Sequence, residues 1–178
     1  MDAEPDPESV ARAIVLRMLT GAARSRAQLA EALARKDVPD EVATRVLDRF
    51  TEVGLVDDAQ YARMFVAHRH AERGLARRAL AVELRRRGIA DQVAAEALAE
   101  VDDDDEVAAA RRLVQSKLAA TRGLDPQARL RRTLAALGRR GYAPGLVTRL
   151  VREALAQEAA GPGEDGEAGV ALWDMDED

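Results

Sequence analysis

A threefold internal repeat constrains this chain more than any other feature. With Val38, Ile89 and Tyr142 placed in register, 51 and 53 residues apart (38 to 89, 89 to 142), apolar residues coincide at five further positions. Leu33 falls on Leu84 and Leu137, Val42 on Val93 and Leu146, and Leu47 on Leu98 and Val151. Val10 falls on Tyr61 and Val114, and Ile14 on Phe65 and Leu118. A period of this length is the mark of tandem units, each burying part of its apolar surface against the next. The chain is therefore expected to be all-α: three tandem three-helix repeats, residues 9–55, 56–101 and 102–157, forming an elongated curved solenoid. A leader, residues 1–8, and an acidic tail, residues 158–178, are expected to be disordered.

Composition agrees with small helical modules. Five aromatic residues in 178 are too few for one large aromatic-filled core, and Ala, Leu, Arg and Glu dominate with little β-branched alternation. Cysteine is absent, which excludes disulfides and thiolate chemistry and permits a reducing compartment. The opening MDAEPDPES is acidic, the opposite of a signal peptide, and no apolar run approaches the ~20 residues that a membrane span needs. A soluble cytoplasmic protein is expected. The net charge of -5 conceals a segregation: residues 1–9 and 161–178 hold eleven acids and no base, which leaves +6 on residues 10–160. Arginine supplies 25 of the 27 cations, a bias that suits forked contacts to phosphate or carboxylate and that a GC-rich genome would also produce.

Helix starts and stops can be read along the whole chain. A first helix is expected over Ser9–Thr20, ending at Gly21. Ser25 and Gln28 have capping-box spacing and open a helix through Leu29 and Leu33 to Lys36. Pro39, Asp40 and Glu41 suit a first turn, and that helix runs through Val42, Val46, Leu47 and Phe50 to Val53. Gly54 ends it, Asp57 caps the next, and Gln60 can return the bond. Tyr61, Phe65, His68 and Glu72 then share one side of a helix, and its two aromatics suggest a buried face. Gly74 breaks this helix. The next starts near Ala76, directs Leu80 and Leu84 inward, and closes at Gly88 with Ile89 as an apolar anchor. A helix over Asp91–Val101 completes the middle unit. In the third, the acids Asp102 to Asp105 cap a helix from about Asp105 to Thr121, Asp125 and Pro126 start one through Leu130, Leu134 and Leu137 to Gly141, and a last runs from about Pro144 to Gln157.

The ordered set Gly54, Leu55, Asp57, Asp58, Tyr61, Ala62, Phe65, then Leu80, Glu83, Leu84, Arg87, Gly88, Ile89 resembles the central signature of the RecX family, the regulators of the bacterial RecA recombinase. Leu134, Leu137, Arg139, Arg140, Gly141 and Tyr142 are similar to that family's closing pattern, with Gly138 interposed. The resemblance covers roughly residues 10 to 156. It implies a non-enzymatic protein that binds the RecA–DNA filament and mainly inhibits its ATPase, strand exchange and coprotease activities, in recombination, DNA repair and the SOS response. No family role attaches to the Asp102 to Asp105 run or to the acidic tail.

The residues themselves offer no catalytic constellation. Neither lysine follows a glycine, so there is no phosphate-binding loop of the Gly-Lys type. His68 and His70, two apart, point about 200° apart on a helix and cannot share a metal; His68 reads as a packed or rim histidine. No cofactor, metal or small-molecule substrate is expected. What remains is arginine: Arg78, Arg85 and Arg86 on an exposed stripe of the middle unit, and Arg129, Arg132 and Arg139 in the third, read as lying opposite the leucines. Each serves as well for a solvated face. As a set they are candidate contacts to a phosphate backbone or an acidic protein groove, with single- or double-stranded DNA bound weakly and without sequence preference. Two alternatives stand: a helical DNA-binding protein acting independently of RecA, and a scaffolding solenoid with another partner. In the tail, Val170, Ala171, Leu172 and Trp173 form an apolar cluster among acids, either inert or able to dock on the basic body or a partner.

Overall fold

A computed structural model describes residues 6–160 of the chain. Among these are nine helices and no strand: α1 (Pro7–Gly21), α2 (Arg26–Ala34), α3 (Asp40–Glu52), α4 (Asp58–Arg73), α5 (Arg77–Arg86), α6 (Asp91–Leu98), α7 (Asp103–Ala119), α8 (Pro126–Gly138) and α9 (Pro144–Ala160). They form three tandem three-helix units, the solenoid that the repeat implies.

Local chemistry explains five of the nine described helix starts. Ser25 Oγ accepts from the Gln28 amide at 3.2 Å while Gln28 Oε1 accepts from the Ser25 amide at 3.1 Å, a complete capping box. Asp57, Asp102 and Asp125 each accept from the amide three residues on, at 2.9, 2.7 and 3.0 Å. At Asp57 the box is open: its carboxylate caps α4, but the Gln60 side chain returns no bond. The first helix starts earlier than expected. Asp6 accepts from the Glu8 and Ser9 amides and Pro7 has no amide hydrogen needing an acceptor, so the helix begins at Pro7, inside the segment read as a disordered leader. At the other end α9 continues to Ala160, three residues into the segment read as tail. The cluster around Trp173 lies outside the described residues.

Each unit has its own core. Leu29, Leu33, Leu47 and Phe50 fill the first with Val15 and Val56; Val66, Leu80, Leu84 and Ile89 fill the second with Ala62; Val114, Leu118, Leu137, Val147 and Val151 fill the third with Tyr142. The face of α4 is one position from where the aromatics suggested. Ala62 and Val66 are buried, whereas Tyr61 and Phe65 are half-buried, their rings stacked with centroids 6.2 Å apart. The guanidinium of Arg87 lies 4.2 Å from the Phe65 centroid and that of Arg69 lies 5.4 Å from it, so Phe65 packs at the edge of the leucine core with cations over its ring. His68 is exposed beside Glu72 at 3.0 Å, not packed. His70 is the histidine held by the fold, its Nδ1 3.0 Å from the Leu75 carbonyl.

The units are joined by the same device twice. Ser25 Oγ donates to the Arg87 carbonyl at 2.6 Å, and the Ala76 amide donates to the Arg140 carbonyl at 2.9 Å. In repeat register Ser25 corresponds to Ala76 and Arg87 to Arg140. The next residue is arginine in both cases. The Arg26 amide donates to Asp58 Oδ1 at 2.8 Å, and the Arg77 guanidinium pairs with Glu106 at 2.6 Å and with Asp103. Each joint therefore ties the N-terminus of a unit's second helix to the following unit. Asp58 and the Asp102 to Asp105 run thereby acquire structural work: Asp102 caps α7 while Asp103 and Glu106 hold Arg77.

Candidate functional site

Three of the six arginines singled out by sequence come together. Arg78 and Arg86 project from α5, eight residues or about two turns apart along one side of the helix. Arg139 follows α8 in the next unit. All three line a cleft of about 470 Å³ between the second and third units, together with Leu75, Ala79, Val82, Gly138, Tyr142 and Pro144. The joint makes the cleft: Gly141 packs directly on Ala79, which brings the α8–α9 turn against α5.

The electrostatics are one-sided. Among the described residues no carboxylate forms an ion pair with Arg78, Arg86 or Arg139, and the one acid in the lining, Glu83, is engaged by Arg87 at 3.5 Å. The apolar part includes Val82, which is 42% exposed. Tyr142, beneath, is buried with its hydroxyl unpartnered, and burial pushes its phenol up to about 12, so it stays neutral. The cleft thus offers three arginine forks and an apolar wall, a combination suited to an anionic partner with hydrophobic groups.

Two others remain exposed but elsewhere. Arg85 reaches Asp91 at 3.5 Å, and Arg132 lies on the exposed side of α8. Arg129 does not belong to the set. It is only 7% exposed, donates to both Glu158 carboxylate oxygens at 2.8 and 3.0 Å, and donates to the Leu118 carbonyl at 3.0 Å. The reason is helical register: Arg129, Thr133 and Leu137 follow at spacings of four on the buried face of α8, as Ala76, Leu80 and Leu84 do one unit earlier. The expectation that it lies opposite the leucines is wrong by that spacing. Arg87, absent from the candidate set, is likewise structural, donating to the Glu83 carbonyl and covering Phe65.

No helix of the described residues is long and apolar enough to cross a membrane, and no group of three His, Asp or Glu side chains there is placed to hold a metal ion.

Comparison with known proteins agrees with this architecture unit by unit. Family models described as the first, second and third three-helix domains of RecX match residues 11–50, 57–98 and 103–151. The chain is 55% identical over 148 residues to a "Regulatory protein RecX" of Thermobifida fusca, covering 83% of this chain and 80% of that protein. It is 51% identical over 162 residues to a protein of the same name from Streptomyces coelicolor, covering 91% and 84%. A crystal structure of RecX from Lactobacillus salivarius shares the fold with a TM-score of 0.76 at 17% identity, over 84% of this chain and 97% of that one. With three units matched in order and such relatives along most of its length, this chain belongs to the RecX family of regulatory proteins, which is not an enzyme family.

Proposed function

We propose that this protein acts in the cytoplasm as a restraint on the RecA recombinase, binding along the filament that RecA forms on DNA and lowering its ATP hydrolysis, strand exchange and coprotease activity. The observation that carries the reading to particular residues is the convergence of Arg78, Arg86 and Arg139, from two units, on one cleft with no ion-pair partner among the described residues. Arg85 and Arg132, exposed on the same two units, extend the basic surface. A tandem of three units spans several repeats of a helical polymer, so weak contacts on one scaffold combine through high effective concentration. Occupying the filament groove would block the homologous duplex and slow protomer exchange. Contact with DNA along the groove would be phosphate contact, sensitive to salt and indifferent to sequence.

The test is the DNA-dependent ATPase of the cognate recombinase, titrated with the wild-type protein and with the Arg78→Glu, Arg86→Glu, Arg139→Glu triple variant. The wild type should slow turnover, and the variant should require much more protein for the same effect at unchanged helicity. Equal potency would remove the cleft from the mechanism, and a wild type without effect would end the reading. Duplex DNA alone, bound with the same affinity as the loaded filament, would instead favour a DNA-binding protein that needs no recombinase.

A further inference from the structure

The cleft also fits a segment of this chain. Beyond Ala160 lie eighteen residues with seven acids and no base, whose apolar run is Val170, Ala171, Leu172 and Trp173. The cleft has the complementary pattern: Arg78, Arg86 and Arg139 set beside Val82 and Pro144. Its volume of 470 Å³ falls within the ~300–1,000 Å³ of pockets that enclose compact ligands. Arginine beside tryptophan adds cation–π attraction to charge pairing.

Reach is sufficient. Pro144, at the start of α9, lines the cleft and Ala160 ends the helix, so at a rise of about 1.5 Å per residue the far end lies roughly 24 Å away. The residues from Gly161 to Val170 can extend to about 33–36 Å. They include Gly161, Gly163, Gly166 and Gly169, and a glycine-rich chain of that length has a root-mean-square span of roughly 16–19 Å. The distance lies between that span and the extended length, so a partly extended linker brings the apolar run to the cleft and makes the contact intramolecular.

We infer that the Val170–Trp173 run and the acids after it dock intramolecularly in the cleft between the second and third units, and compete there with an external partner for Arg78, Arg86 and Arg139. The competition rests on the proposed function; the docking does not. Trp173 is the sole tryptophan, so its fluorescence reports the docking directly. Its emission in the intact protein should be shifted to the blue, and quenched less by acrylamide, relative to a peptide of residues 161–178. Both differences should vanish in the triple arginine-to-glutamate variant. They should vanish equally when Asp174, Asp176, Glu177 and Asp178 are changed to the corresponding amides, substitutions that leave the helical body untouched. Emission and quenching identical to those of the peptide would overturn the docking, as would a blue shift that grows with protein concentration, which assigns the occupant to a second copy. For the competition, a chain ending at Ala160 should restrain the recombinase at lower concentration than the intact protein, and superimposable curves would overturn it. Failure of both forms to affect the recombinase, with Trp173 still shifted, counts against the proposed function alone.

Discussion

Gly141 has φ +90, and a Cβ built there would lie 2.7 Å from the backbone nitrogen of Ala79 in the preceding unit. Gly88 repeats the arrangement at φ +72, its Cβ falling 2.2 Å from that of Ala27. Two demands coincide at these residues, a left-handed backbone and a neighbour in contact. The first unit differs. In repeat register the position is Asp37, whose φ is 56, so there a side chain is borne in the left-handed region. Gly141→Ala should therefore cost about 1–3 kcal/mol for the backbone conformation alone, and more for the displaced joint. Gly54→Ala, at φ +73 with nothing within 4 Å of the new carbon, should cost only the backbone part. Urea unfolding of the two variants compares them; equal destabilisation would mean that the joint yields without cost.

At the scale of the helix, what could be read beforehand was what is local. Ser25, Asp57, Asp102 and Asp125 announce helix starts because a cap needs only its own next turn, and Gly74 announces a stop because its backbone turns left-handed without help. The cleft was not legible, since Arg86 and Arg139 are 53 residues apart and meet only through the packing of Gly141 on Ala79. Arg129 was legible and misread: its spacing to Thr133 and Leu137 places it inside, and the surface habit of arginine prevailed over the period. Its function is to fasten the end of α9. Arg129 holds the Glu158 carboxyl below the ordinary 4.5 by hydrogen bonding. A carboxyl whose pKa falls on folding adds stability that is complete above its unfolded value and disappears as pH drops through the folded one. Glu158→Gln should thus destabilise the protein at pH 7, by a gap that narrows as the pH falls below 4.5. Thermal melts across that range check the convergence, and a constant gap between the two proteins would contradict the ion-pair account.

Across the whole molecule the cores are separate and the joints are narrow, so stability should behave as three unit terms and two coupling terms. The couplings are unequal. The second joint has a guanidinium shared between Glu106 and Asp103, and Ala76 of the middle unit is buried in the core of the third. The first rests on two hydrogen bonds, from Ser25 Oγ and from the Arg26 amide, and on the contact of Gly88 with Ala27. Asp58 accepts across this joint, whereas Asp57 is the residue whose side chain caps α4. Asp58→Ala leaves the Arg26 amide without its acceptor, and a hydrogen bond of this kind contributes about 0.5–1.5 kcal/mol, or up to ~3 with a charged partner. That loss should let the first unit open by itself: amides in α1–α3 exchange faster, those in α7–α9 keep their protection, and Asp57→Ala changes α4 instead. Uniform acceleration along the chain would reveal one cooperative body. A separable first unit, by contrast, leaves the arginine cleft intact while the N-terminal end adjusts to the curvature of a partner, so in Asp58→Ala the recombinase should still be restrained through Arg78, Arg86 and Arg139.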